Sequence, residues 1–333
     1  MIQTLSWAQL ENIVNSIAQE WEINASLKEA SFHKYLPKVE KPQSGVISFP
    51  KRIPYFLLLL RLIQEGYFLG NRLVNSNEKI IAALSINDVD VAEKQKKYYC
   101  DILDILSSEV LKGGALEYDM RNTLLFFLYH ELTHVRIAQQ PLFYEKKKEE
   151  LSKRIDSNGT VRRRIMKRCL KDNKSLEEEI VCDLEACKKL KDANFNSVVL
   201  KGILLDIVHS LNMMNCVSNL RSEYRTANKS KLLTYCKLTH SENTKTSISR
   251  FIFIQNFWND VVILNGKELW SDIISTAHSL GFTQDTLDFC KQEYKKGEDK
   301  EGSVNLDKKR VKEIRYDICS KETDFFDSII SQK

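Results

Sequence analysis

The segment FFLYHELTHVRI, Phe126 to Ile137, holds His130, Glu131 and His134 in the spacing His-Glu-x-x-His. On a helix, residues four apart share a face, so His130 and His134 present two imidazole nitrogens to one point. Glu131 is turned about 100° from His130 by the helical rotation, which lets its carboxylate reach a water beside that point. Two metal ligands and a general base on one helical turn are what metal-assisted hydrolysis requires. By composition, the pattern arises by chance on the order of once in a hundred such chains, so it needs support from elsewhere in the sequence. Two hydrogen-bonded core histidines are the competing reading.

Support comes from the flanks and from a second acidic stretch. Leu124, Leu125, Phe126, Phe127 and Leu128 precede the motif and Val135 and Ile137 follow it, which predicts a buried helix. A buried His-Glu-His cluster without a partner is costly, and a metal ion removes that cost. A catalytic zinc commonly keeps three protein ligands and one open position. SLEEEIVCDLEACKKL, residues 175–190, is the best source of the third ligand. Glu179 and Asp183 lie four apart on one helical face. Glu179 completes a His, His, Glu set, and Asp183 accepts the free ring N–H of a ligating histidine. Ala186 extends that face and permits close helix packing. A shift of register substitutes Glu177 or Glu178 for Glu179, and Cys182 or Cys187 is an alternative sulfur ligand. A solvated acidic helix start explains the glutamates through the helix dipole, but not Asp183 and Ala186.

The elements that must carry these residues are mostly helical. Leu10, Ile13, Val14 and Ile17 recur at helical spacing within 5–28, with Ser6 as cap. Four prolines fall between Leu36 and Pro54, and GVISFP, 45–50, reads as a short strand between them. Helices are expected over 55–72, 87–112 (stopped by Gly113-Gly114) and 121–139 (stopped before Pro141), with ALEYD, 115–119, as a strand or a turn. Residues 145–174 carry twelve Lys or Arg against five Asp or Glu, and SNGT, 157–160, divides them into two charged helical arms. A solvated hairpin is the plain reading; a surface for nucleic acid or an acidic partner is the other. Further helices are expected over 175–193, 198–223, 249–264, 266–279 and 284–296, with a charged surface helix over 303–317.

Composition bounds the function classes. A chain of 333 residues with 43% hydrophobic and 29% charged residues builds a sizeable core and is not of disordered type. Five prolines and 11 glycines favour helix over a turn-rich β fold. The net charge of +5 does not by itself imply nucleic acid. The eight cysteines are scattered without a Cys-x-x-Cys pair and read as free thiols of a reducing cytoplasm. No basic region followed by an apolar core opens the chain, and PYFLLLLRLI, 54–63, is too short to span a bilayer, so neither a secretory signal nor a membrane partner is expected.

HELTH followed by Glu179-x-x-x-Asp183-x-x-Ala186 resembles the gluzincin metallopeptidases, in which a Glu-x-x-x-Asp helix supplies the third ligand. The likeness is closer to the Lit-type phage-exclusion peptidases of bacteria. It covers residues 45–250 loosely, and its specific part lies at 126–137 and 178–187. The link from His134 to Glu179 is longer here than that family's, and His240-Ser241 stands where a His-Pro start is expected.

The resemblance implies a mainly α (α+β) fold with a zincin-like helical core and a small edge sheet. It divides the chain into an N-terminal helical segment, 1–44, a zinc metallopeptidase-like domain, 45–250, with a basic insert at 145–174, and a C-terminal helical region, 251–333. It implies Zn2+ bound by His130, His134 and Glu179, Glu131 as general base, and His240 and Arg250 as candidate oxyanion donors. It also implies a protein substrate, a host protein cleaved in phage-triggered growth arrest, and an activating phage or host factor. Two other classes stand beside it. One is a metal-containing binding or regulatory protein without turnover; the other is a helical nucleic-acid-binding protein using the basic segment.

Overall fold

The computed structural model describes residues 2–32, 34, 36–114, 116–172, 176–192, 206–207, 250, 253–254, 283–298 and 307–331. The helices expected over 198–223, 249–264 and 266–279 fall almost wholly outside them. The chain runs through β1 (Ile2–Gln3), α1 (Trp7–Trp21), β2 (Ser26–Glu29), β3 (Lys38–Lys41), a 3-10 turn (Pro42–Ser44), β4 (Val46–Phe49), α2 (Ile53–Gln64), α3 (Leu69–Ser85) and α4 (Val89–Gly113). It continues through β5 (Tyr118–Asp119), α5 (Arg121–Gln139), α6 (Pro141–Asp156), α7 (Thr160–Asp172), α8 (Leu176–Lys191), α9 (Gln284–Glu298) and α10 (Lys308–Ile330). The described chain is mainly α with two small sheets.

Ser6 starts α1 as expected. Its hydroxyl accepts the Gln9 N–H, and the Gln9 side chain accepts the Ser6 N–H at 2.8 Å, a reciprocal capping box. Leu10, Val14, Ile17 and Trp21 form the buried stripe. The helix ends at a left-handed Glu22, short of the expected residue 28, because Ser26–Glu29 pair in parallel with Val46–Phe49. Strand β4 is therefore the centre of a three-stranded sheet, with β2 on one side and antiparallel β3 on the other. Gly45 makes the turn into β4 at φ 68°, where a Cβ would meet the Asn24 carbonyl oxygen, so only glycine fits. This sheet joins residues on both sides of the 44/45 division drawn from the sequence, and one core runs from Ile2 to Ile329.

Two expectations need correction. The helix expected over 55–72 breaks at Gly66, whose φ of 93° ends α2 and lets α3 start in a new direction. Of the surface helix expected over 303–317, the described part starts at Lys308; it runs to Ile330 and buries Val311, Ile314, Ile318, Phe325 and Ile329. Its charges occupy the outer face, while every third or fourth residue enters the core. ALEYD contributes only Tyr118–Asp119, paired in parallel with Ile2–Gln3.

A buried ionic hub binds these layers. The Arg52 Nε and Nη2 donate to Glu322 on α10 at 2.7 and 2.5 Å. Its Nη1 donates to the Phe32 carbonyl at 2.9 Å, and Nη2 also reaches Asn77 on α3 at 3.0 Å. Tyr99 on α4 donates to Glu322, and Tyr55 and Tyr99 share a hydrogen bond. Removing one partner of such a pair strands the other charge away from water. Glu322→Gln is therefore expected to lower the unfolding free energy by about 3 kcal/mol or more, read by urea denaturation. A loss below about 1 kcal/mol would mean that the hub contributes little.

Candidate metal centre

Helix α5 fills the middle of the site because its sequence is apolar on nearly every side: Leu124, Phe126, Leu128, Leu132 and Val135 are fully buried. It packs along α8, where Ile180, Cys182, Asp183, Ala186 and Cys187 are also fully buried. Ala186 allows the close approach expected of it. The basic hairpin, α6 and α7, is not simply solvated. Leu151, Ile155 and Met166 pack with Ile180 and Val181 of α8. Lys147 pairs with Glu185 at 2.9 Å, and Glu177 turns toward Lys148 at 3.8 Å, away from the histidines.

The end of α5 is stitched to the sheet. Gln139 exchanges hydrogen bonds with the Asn24 backbone at 2.8 and 2.9 Å, and Gln43 donates to the Ala138 carbonyl at 2.9 Å. These bonds lay edge strand β3 across the motif. The Val39 N–H, on the outward side of that edge, donates to Glu131 Oε2 at 2.8 Å.

His130, His134 and Glu179 converge. The two Nε2 atoms stand 3.2 Å apart, and each lies 3.4 Å from a Glu179 oxygen. The back of each ring is held by a carboxylate: His130 Nδ1 lies 2.9 Å from Asp183, and His134 Nδ1 lies 2.8 Å from Glu178. An ionised carboxylate only accepts, so each Nδ1 carries the hydrogen. In neutral rings both Nε2 lone pairs then face each other and the Glu179 carboxylate, with no donor among them. Two ligands bound tetrahedrally to one zinc at its usual bond lengths stand about 3.3 to 3.4 Å apart. The spacing and the donor set fit a metal ion, and these three residues form a group that could hold one.

Charge points the same way. Four carboxylates, Glu131, Glu178, Glu179 and Asp183, gather around the two histidines, and Arg250 pairs with two of them, Glu179 and Asp183. Burial opposes charge on His130, but Asp183 and Glu179 hold its pKa above the ordinary 6.5. Burial likewise opposes charge on His134, and contacts with Cys182, Glu178 and Glu179 raise it further. Burial also works against the Glu179 carboxylate, yet both imidazoles and Arg250 drive its pKa down. Glu131 moves the other way: burial raises its pKa, and the two histidines only partly oppose this. Cys182 lies against His134, but burial pushes its thiol up to about 12, which leaves it protonated and disfavours it as a ligand.

Of the residues read from the sequence, His130, His134, Glu179, Glu131 and Asp183 come together. Arg250 is present but engaged. Its Nε and Nη2 grip Asp183 at 2.7 Å each, and its Nη1 lies 3.2 Å from Glu179. As placed, it is a positioning residue for two carboxylates rather than a free oxyanion donor. His240 lies outside the described residues. Glu178 is the residue that sequence reasoning set aside. It lies about 100° round the helix from Glu179, yet its side chain is long enough to reach the second histidine. The group opens into a cavity of about 480 Å3 walled by Leu36, Pro37, Lys38 and Val39 on the sheet side and Phe127 on α5.

Comparison of the chain with protein-family models, curated protein sequences and solved structures yields no match. Among the described residues, no helix is long and apolar enough to cross a membrane.

Two predictions follow from the geometry. Glu179→Ala removes one of the three groups that could hold a metal ion and should abolish stoichiometric metal binding, whereas Glu178→Ala loosens the support of His134 and should weaken it about 10- to 100-fold, by calorimetric competition with zinc as the probe. In the metal-free protein, the raised histidine values mean that the folded state holds protons the unfolded state releases. That stabilisation is full below the ordinary value of 6.5 and is lost as pH climbs through the raised values. A metal displaces the same protons, so zinc affinity should rise with pH by about tenfold per unit for each proton displaced. A flat profile between pH 6 and 7 would show that the rings are already neutral there.

Proposed function

We propose that this chain is a zinc-dependent endopeptidase of the gluzincin type, with a zincin-like core, acting on a protein substrate in the cytoplasm. The observation that carries this reading is the convergence of His130, His134 and Glu179 beside Glu131 at an open cavity. Cys100, Cys169, Cys182 and Cys319 are free thiols, which supports a reducing compartment.

Zinc held by these three residues would supply Lewis acidity, polarising a scissile carbonyl and acidifying a water. Glu131 does the proton work. Burial keeps its pKa above the usual carboxylate value, so it can take a proton from the attacking water and pass it to the leaving amine. Asp183 and Glu178 fix the two rings, and Arg250 fixes Asp183 and Glu179. Edge strand β3 offers an extended peptide a place to pair along one wall of the cavity. A substrate carbonyl that took the Val39 N–H would release Glu131 for catalysis.

The resemblance to Lit-type peptidases adds a host-protein target cleaved in phage-triggered arrest and an activating factor. The hairpin at 145–174 is the proposed gate or docking surface for that factor, because it packs on the helix that carries Glu179. The hydrogen bond from Val39 to Glu131 favours one second reading, a metal-containing binding protein whose carboxylate is structural. A nucleic-acid role gains little, since Lys147, Lys148 and Lys167 are each paired with acidic residues.

Glu131→Gln separates the two readings that remain. An endopeptidase should keep its zinc and lose cleavage of a peptide library by about 10²- to 10⁴-fold. Cleavage unchanged in the variant, or absent from zinc-loaded wild type across the library, would favour the binding reading.

A further inference from the structure

Away from the metal centre, the loop after β2, the start of α2 and one face of α10 enclose a larger cavity of about 630 Å3. That volume is within the range of small-molecule sites. Its walls are largely apolar, with Phe32, Pro50, Pro54, Tyr55 and Phe326 among them. Of the charged groups that line it, several are already satisfied. Arg52 and Glu322 are locked together in the buried hub, and Lys51 pairs with Glu29 at 2.9 Å.

Two cations are not. Arg315 lines the cavity, makes no ion pair among the described residues, and stands with its guanidinium 5.9 Å from the Phe32 ring. Lys34 also lines the cavity and has no ion pair among the described residues. The cavity thus combines surplus positive charge with an apolar body. A cation would be repelled there. A neutral hydrocarbon would fill the space but leave both cations without a counter-charge.

We propose that this cavity is a binding site for a small amphipathic anion, a carboxylate or phosphate head on an apolar body. The Arg315 guanidinium and the Lys34 ammonium receive the head, and Phe32, Tyr55 and Phe326 flank the body. The site is independent of the proposed peptidase activity, and binding reads it directly whether or not zinc is present.

The test is calorimetric titration of the full chain with octanoate, octyl phosphate and 1-octanol. Both anions should bind saturably with one per chain, and octanol should bind at least about tenfold more weakly, a difference of about 1.4 kcal/mol. Arg315→Gln should weaken octanoate by about tenfold while leaving octanol binding and the thermal midpoint unchanged. Cys319→Trp, which fills the cavity without touching its charge, should remove binding of both. The proposal is overturned if folded wild type binds neither anion saturably, if octanol binds as tightly as octanoate, or if Arg315→Gln leaves octanoate affinity intact.

Discussion

Two imidazole lone pairs aimed at each other across 3.2 Å are the constraint on which this structure turns. Each ring is held in that pose from behind by a carboxylate of α8, and a third carboxylate of the same helix faces both. Neutral imidazoles repel in this arrangement, and only protons or a metal ion in the centre make it favourable. The packing of α5 on α8 is therefore also an electrostatic commitment. Asp183 and Ala186 are fully buried in that interface, one gripping His130 and the other letting the helices approach.

The rest of the fold supplies the walls and the rigidity. Gln139, Gln43 and the Asn24 backbone bind the end of α5 to the sheet, which lays β3 beside Glu131. The Arg52–Glu322 hub does the same on the far side, tying the loop after β2 to α2, α3, α4 and α10. Lys34, in the segment between β2 and β3, lines both the metal-site cavity and the larger one.

Local patterns were legible where local physics decides. Ser6 caps its helix, Pro141 marks the end of α5, and Val46–Phe49 form the strand expected between prolines. Glu179 and Asp183 share a face because four residues nearly complete a helical turn. Apart from the local break at Gly66, what was misread depended on partners distant in the chain. The charged helix from Lys308 enters the core because α2 and α4 offer it an apolar face and Arg52 donates to Glu322 further along it. Helix α1 stops short of residue 28 because Ser26–Glu29 pair with β4. Arg250 was picked out, but its grip on Asp183 could not be foreseen from 67 residues away.

The sequence by itself determined the chemistry available. Helical spacing brings His130 to His134 and Glu179 to Asp183, since rotation per residue is a property of the backbone alone. Only the tertiary structure decided how those two pairs meet. The packing of α5 against α8 selects Glu179 over Glu177 for the centre, gives Glu178 to His134 and turns Arg250 into a brace. Those choices rest on contacts between residues more than forty apart in the chain, where side-chain length and burial, not periodicity, set which atoms touch.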